Sequence, residues 1–241
     1  MGTEMRIVHA CHGKFHHHDL ARQLHARGAL ERFFTGYPHF NKVAKTRSDT
    51  FEVAFIGSVS LRKGVPDLLQ AFNALSHPHK RLTIVGGMTE EMRAYLAKHP
   101  APSDVVFTGH CPQPRLKEIL SLAHVMVLPS IEEGLALVMA QALACGCPVI
   151  ASEHTGARDL YEDGAQGFIV PICNPEAIAE RLQRLADNPD LQKAMSEAAL
   201  KRVRDDLGGW DVYGERMVAE LSRFAAKKRA GCDTAVSRSA V

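Results

Sequence analysis

Glu133 stands where an apolar run gives way to a helical pattern, in Pro129-Ser130-Ile131-Glu132-Glu133-Gly134-Leu135-Ala136. The pattern predicts a helix over 134–145, opening at Gly134 with Leu135 and Ala136 in its first turn. A helix N-terminus offers unpaired N–H groups and the positive end of the dipole, which suits a diphosphate. Gly134 lets the backbone approach such a ligand with no side chain in the way. Gln141 follows Glu133 by eight positions, a span of roughly 12 Å along a helix. That span lets one group reach a sugar and the other a ribose, with the diphosphate between them. An amphipathic core helix with an incidental carboxylate is the plain alternative.

A second cluster, Gly57-Ser58-Val59-Ser60-Leu61-Arg62-Lys63-Gly64, also follows an apolar run and carries two adjacent cations. Cations beside a diphosphate leaving group neutralise the charge that develops as the bond to it breaks. A solvated pair of loop cations is the alternative. Gly86-Gly87 and Gly109-His110 close two further apolar runs. His110 reads equally as a neighbour of a bound ligand and as part of a surface loop. Thr155-Gly156-Ala157-Arg158-Asp159-Leu160 reads either as another glycine loop near a bound ligand or, at Arg158-Asp159, as an exposed charge pair. Near the N-terminus, Cys11-His12-Gly13-Lys14-Phe15-His16-His17-His18-Asp19 lies between a strand pattern and a helix pattern. A histidine there, His16 first, is placed to assist a hydroxyl or to orient a phosphate. Three consecutive histidines cannot all face one metal from a helix, and no acid and second histidine share ligand spacing. No metal site is expected.

These groups need a scaffold, and the chain from residue 51 onward repeats one. Apolar runs rich in β-branched residues, at 53–57, 82–86, 105–109, 125–129, 149–152 and 168–171, read as buried strands. Helical patterns occupy 66–75, 89–98, 114–122, 134–145, 156–161, 175–186 and 191–204. Pro66 and Pro175 suit the first turn of a helix, where no N–H is missed. Strands each followed by a helix predict an α/β fold with a doubly wound parallel, Rossmann-like sheet. Strands closing on Gly57, Gly86 and Gly109 put the ligand crevice at their carboxyl ends. Residues 1–40 hold one further β-α-β unit, and 41–50 form a polar linker. One such unit cannot cover both faces of two parallel strands, so it must lean on something else.

The run from Glu133 to Val149 resembles the signature of family 4 (group 1) retaining glycosyltransferases. That signature is a Glu, seven residues, a second Glu, then Ala-x-Ala-x-Gly-x-Pro-Val, here Ala142-Leu143-Ala144-Cys145-Gly146-Cys147-Pro148-Val149. The resemblance implies that Glu133 faces the donor sugar. Gln141 stands where the family has the acid that binds the ribose hydroxyls, and its amide accepts one hydrogen bond and donates another. Lys63 matches the lysine that holds the donor diphosphate. The family's Arg position carries Ser58, leaving Arg62 to supply the second cation. Gly57, Gly86, Gly134, Leu135 and Ala136 fall on donor-binding positions, His110 on the border of the base, and His16 on the acceptor side.

The implied fold is the C-terminal half of a GT-B architecture plus an N-terminal β-α-β fragment. The implied organisation is a remnant of the acceptor domain at 1–40, a linker at 41–50, a nucleotide-sugar-binding domain at 51–206, and a C-terminal helix and tail at 207–241. The implied reaction moves a sugar from a nucleoside diphosphate donor to an acceptor hydroxyl with retention, without a cofactor or metal. The acceptor is a glycan, a lipid or a small molecule. The alternative is a catalytically incomplete donor-binding remnant or an interaction module, because most of the acceptor domain is missing. A nucleotide-sugar epimerase on the same plan is disfavoured by the Glu133 motif and Lys63-Gly64.

Bulk properties exclude other classes. With 29 basic and 27 acidic residues the net charge is +2, so no global field calls for nucleic acid. Lys227-Lys228-Arg229 is a solvated tail or a contact for an anionic membrane surface. No apolar run approaches the roughly 20 residues that span a bilayer, and residues 1–8 lack the regions of a signal peptide. A cytoplasmic protein is expected, with peripheral contact to the inner membrane face as the alternative. The six cysteines, at 11, 111, 145, 147, 173 and 232, lack paired metal spacing and read as small buried thiols.

Overall fold

The computed structural model describes residues 49–207 and 217–223. The first stretch lies in one compact unit, and the helical residues 217–223 belong to another. The expected β-α-β unit at 1–40, His16, Cys11, Cys232, most of the linker and the basic cluster at 227–229 lie outside the described residues.

Six parallel strands form one sheet: β1 (Phe51–Ile56), β2 (Lys80–Val85), β3 (Val105–Gly109), β4 (Val125–Leu128), β5 (Val149–Ser152) and β6 (Gly167–Val170). Their order is β3-β2-β1-β4-β5-β6. Between and after them run α1 (Val65–Ala74), α2 (Glu90–Lys98), α3 (Gln113–Leu122), α4 (Leu137–Ala144), α5 (Ala157–Leu160), α6 (Pro175–Ala186) and α7 (Pro189–Arg202). A wider π-helical turn, Val203–Leu207, follows. The central strands are continuous apolar runs because both of their faces are covered; every residue of β4 and β5 is buried. At the edge, β3 is more open, and Val106 is 44% exposed.

The order reverses between β1 and β4, whose register pairs Val53 with Val125 and Ala54 with Met126. In open α/β sheets the ligand crevice lies outside the carboxyl ends of the strands at this switch point. The loops after β1 and β4 therefore flank it. Phe55, Phe72, Leu82, Met126, Met139 and Leu143 are fully buried around these strands and fix their positions. Further along, α6 buries Ile178, Leu182 and Leu185 on one stripe and is capped by Asn174, whose side chain accepts from the Ala177 N–H at 2.8 Å.

Each expected strand is present, and most helix bounds agree within a residue or two. The site helix is the exception. It opens at Leu137, not at Gly134, because the preceding residues bond sideways. The Glu133 N–H donates to the His154 carbonyl at 2.9 Å and the Ala136 N–H to the Thr155 carbonyl at 3.4 Å. Glu133 is thus a loop residue, and its spacing to Gln141 is not eight steps of one helix. The cysteines also need correcting. Cys145 and Cys147 are buried, but Cys111 is half-buried and Cys173 is exposed at φ 49°. Burial pushes the Cys145 thiol up to about 11, so it is not a nucleophile at neutral pH.

Candidate functional site

Three loops at the carboxyl edge of the sheet are stitched together. The β1–α1 loop reaches the β4–α4 loop through two hydrogen bonds. Arg62 Nη1 donates to the Glu132 carbonyl at 2.9 Å, and the Ile131 N–H donates to the Arg62 carbonyl at 2.9 Å. Gly64 lies flat against Pro129, where a Cβ would overlap the Pro129 carbonyl and sit 2.8 Å from its carbon. The β5–α5 loop closes from the other side. Besides the two bonds that delay α4, His154 Nδ1 lies 3.2 Å from the Ile131 carbonyl. Thr155 Oγ1 donates to the Ser152 carbonyl at 2.6 Å, and Ser152 Oγ donates to the Ser130 carbonyl.

This stitching brings the Lys63 ammonium onto the Glu133 carboxylate as an ion pair, with side chains 12% and 21% exposed. Burial first, and the neighbouring Arg62 guanidinium second, hold Lys63 below the ordinary lysine value, against the pull of the carboxylate. Beside the pair, α4 begins without a side-chain cap at Ala136. The N–H groups of Gly134, Leu135, Leu137 and Val138 have no acceptor among the described residues. Ala136 differs from its expected place, since its N–H is already used by Thr155. Gln141 is half-buried one helical turn beyond Leu137, on the same side of α4.

The remaining candidates line the ends of β1, β2 and β3. Gly57 directly follows β1, and Ser58 beside it is exposed. At Gly86, φ is 143° and a Cβ would lie 2.7 Å from the Gly57 carbonyl carbon. A Cβ on Gly87 would lie 2.7 Å from His110 Nε2, so the exposed His110 ring covers that turn. Arg62, expected as a second cation, is exposed and already donates to the Glu132 carbonyl. Arg158 and Asp159 are exposed.

Sequence reasoning missed the loop-locking residues His154 and Ser130, and it marked the Thr155 loop without its locking bonds. The Thr155-Gly156 turn was a visible signal, but main-chain acceptors such as the His154 carbonyl leave no mark in side-chain identity. Ser130 is fully buried, and its Oγ has no partner among the described residues. Ser130→Ala is expected to leave thermal stability unchanged or slightly raised, because it deletes an unsatisfied hydroxyl; a melting curve checks this. A separate cleft of about 510 Å³ is lined by Glu52, Arg81, Thr83, Val106, Thr108 and Arg115 among others, and shares no residue with the loops above.

Residues 38–202 match the model of the family described as glycosyl transferases group 1. The chain belongs to this family. A D-inositol 3-phosphate glycosyltransferase of Thermomonospora curvata is 32% identical over 184 residues, covering 70% of this chain and 42% of the relative. The capsular polysaccharide biosynthesis glycosyltransferase CapM of Staphylococcus aureus is 27% identical over 182 residues, covering 72% of this chain and 47% of the relative. Among solved structures, sucrose-phosphate synthase from Thermosynechococcus elongatus aligns at a TM-score of 0.70 and 26% identity, over 78% of this chain and 50% of that one. HepE of Anabaena in complex with UDP shares the fold at a TM-score of 0.63 and 18% identity, over 85% of this chain and 52% of that one.

The described domain thus has the Rossmann-like fold of GT-B glycosyltransferases. The chain spans less than half the length of these curated relatives. Among the described residues, no helix is long and apolar enough to cross a membrane.

Proposed function

We propose that the crevice between β1 and β4 binds a nucleoside diphosphate sugar as the donor half of a family 4 retaining glycosyltransferase. One observation carries this reading. A half-buried cation and a carboxylate from two different loops meet close to the start of α4, where four N–H groups have no acceptor among the described residues. Lys63, with Arg62 at the rim, and the N–H groups of Gly134, Leu135, Leu137 and Val138 hold the diphosphate. Glu133 takes the sugar hydroxyls, and Gln141 takes the ribose. The bare backbone at Gly57 and Gly86 leaves room for the nucleotide, with Ser58 and His110 at its border. The cations and N–H groups supply countercharge enough that no divalent metal is required.

In this reading the sugar passes to a hydroxyl of a glycan, lipid or small-molecule acceptor with retention. His16 on the acceptor side rests on resemblance alone. The reading goes with a cytoplasmic location, peripheral to the membrane where the acceptor is a lipid. UDP is the first base to try, since HepE was solved with UDP and with UDP-glucose.

Calorimetric titration with UDP, GDP, ADP and their hexose forms tests donor binding. One of them is expected to bind with a dissociation constant in the micromolar to millimolar range common for substrates. Binding of none overturns the donor site. Transfer is a separate question, because the chain spans only 42% of the first relative above. That coverage favours, as a second reading, a donor-binding module that does not turn over alone. Turnover abolished by Glu133→Ala excludes the module; binding with no turnover toward any acceptor excludes autonomous transfer.

The site also predicts a pH dependence. Lys63 is lowered by burial and by Arg62, so it loses its proton below the ordinary lysine value of about 10.4. Diphosphate affinity is therefore expected to fall, as pH rises, before an ordinary lysine would lose its proton. Lys63→Arg keeps its charge there and should flatten the profile. Dissociation constants measured from about pH 7 to about pH 10 check both points.

A further inference from the structure

The ion pair that marks the site also poses a problem for its ligand, because the cation best placed for a diphosphate is already held by a carboxylate. We propose that Glu133 competes with the diphosphate for Lys63 and yields it to a ligand that satisfies the carboxylate in return, so that the pocket prefers a sugar-bearing diphosphate to a bare one. The proposal rests on the donor-site reading above and adds to it a basis for selectivity between donor and product-like anions.

Both members are anchored by backbone they cannot easily leave. The Lys63 loop is tied to the Glu133 loop at Arg62–Glu132, Ile131–Arg62 and Gly64–Pro129. On its far side the Glu133 N–H is held by the His154 carbonyl. Loop movement therefore does not separate the pair, and exchange of partners falls to rotation of the two side chains. When a bare diphosphate takes Lys63, the carboxylate at 21% exposure is left without its cation and next to a new negative charge. Removing one partner from a largely buried pair is costly for the group left behind. A hexosyl diphosphate changes the balance. Its hydroxyls donate to the freed carboxylate, and hydrogen bonds to an ionised acceptor are among the stronger ones.

Two physical effects have to be separated. One is repulsion of any anion by Glu133 through space, the other is its hold on Lys63; only the second needs the lysine. Wild type, Glu133→Gln, Lys63→Met and the double variant should be compared by ligand-detected NMR, which reads weak binding. The probes are inorganic pyrophosphate, the nucleoside diphosphate found to bind, and its hexose form. Glu133→Gln is expected to tighten pyrophosphate and the bare nucleoside diphosphate about fivefold, the size of an ordinary pairwise coupling. The preference for the hexose form should narrow. In the Lys63→Met background the same change should give less than about a twofold gain.

An unchanged or weaker affinity of Glu133→Gln for the bare diphosphate overturns the proposal. So does an equal gain in the Lys63→Met background, which identifies plain repulsion. If wild type binds no nucleoside diphosphate, the donor-site reading fails. If wild type binds and the gain is absent, only the competition fails.

Discussion

Gly64→Ala is expected to lower stability by about 3 kcal/mol, the sum of a left-handed backbone cost and an overpacking cost. Gly64 sits at φ 65° and ψ 24° as the residue before α1, and its carbonyl accepts from the Leu68 N–H at 3.1 Å. A side chain in this region costs about 1–2 kcal/mol by itself. The larger difficulty is space, since the new Cβ would overlap the Pro129 carbonyl. That obstacle is backbone at the end of β4, not the flexible tip of a side chain. Relief requires the β1 and β4 loops to separate, which also moves Lys63 away from Glu133. The variant should melt roughly 6–12 °C below wild type and bind the donor less tightly even where it is folded. Gly134→Ala is the control. Nothing lies within 4 Å of its Cβ and its φ is not positive, so its cost should stay below about 1 kcal/mol. Equal melting temperatures for the two variants would refute this account of Gly64.

The contrast between these glycines shows what could be read from the chain. Gly134 attracted attention because it precedes a helical pattern beside an acid, whereas Gly64 looked like the tail of a cation pair. Its function is spatial, because it lets a loop after β1 lie on a strand end 65 residues later. Periodicity carries information about a residue's own element, so the strands, the helices and the parallel class were legible. The carboxyl ends of the strands were legible as the ligand edge, but the strand order that places the switch point between β1 and β4 was not, because pairing between strands leaves no mark in their periodicity. The start of α4 was not legible. Helical propensity continues through Leu135 and Ala136, but the His154 and Thr155 carbonyls draw the preceding N–H groups away from it. Such bonds are made by main chain and are silent in residue type. The meeting of Lys63 with Glu133 was half legible: each residue was selected on its own, and only the fold pairs them.

The stitching also explains why a charged pair persists in this place. A buried ion pair adds little to stability compared with apolar packing of the same volume. Around it, Ile131 is 36% exposed and Leu135 49%, so the loop does not use its apolar side chains to close the crevice. Leu135 and its neighbours Gly134, Leu137 and Val138 also keep N–H groups that have no acceptor among the described residues, close in sequence to Glu133. These features fit a site held ready for a polar ligand rather than a loop optimised for the fold alone.

Lys63→Met is accordingly expected to weaken binding of the nucleoside diphosphate by about ten- to a hundredfold, the loss of one charge-assisted interaction. Methionine keeps much of the stem and its packing but removes the cation. Arg62→Met should cost less, no more than about fivefold, since the guanidinium is exposed and already donates to the Glu132 carbonyl. Calorimetry on the two variants ranks the cations, and an equal or reversed ranking would sink the assignment of Lys63. Loss of binding through a damaged fold must be separated from loss of the charge, because Lys63→Met leaves the Glu133 carboxylate without its partner in a mostly buried position. Adding Glu133→Gln removes that stranded charge. The double variant should recover the melting temperature lost by Lys63→Met and still bind the diphosphate at least tenfold more weakly than wild type. Stability returning without affinity is the pattern that assigns the binding to the Lys63 ammonium itself.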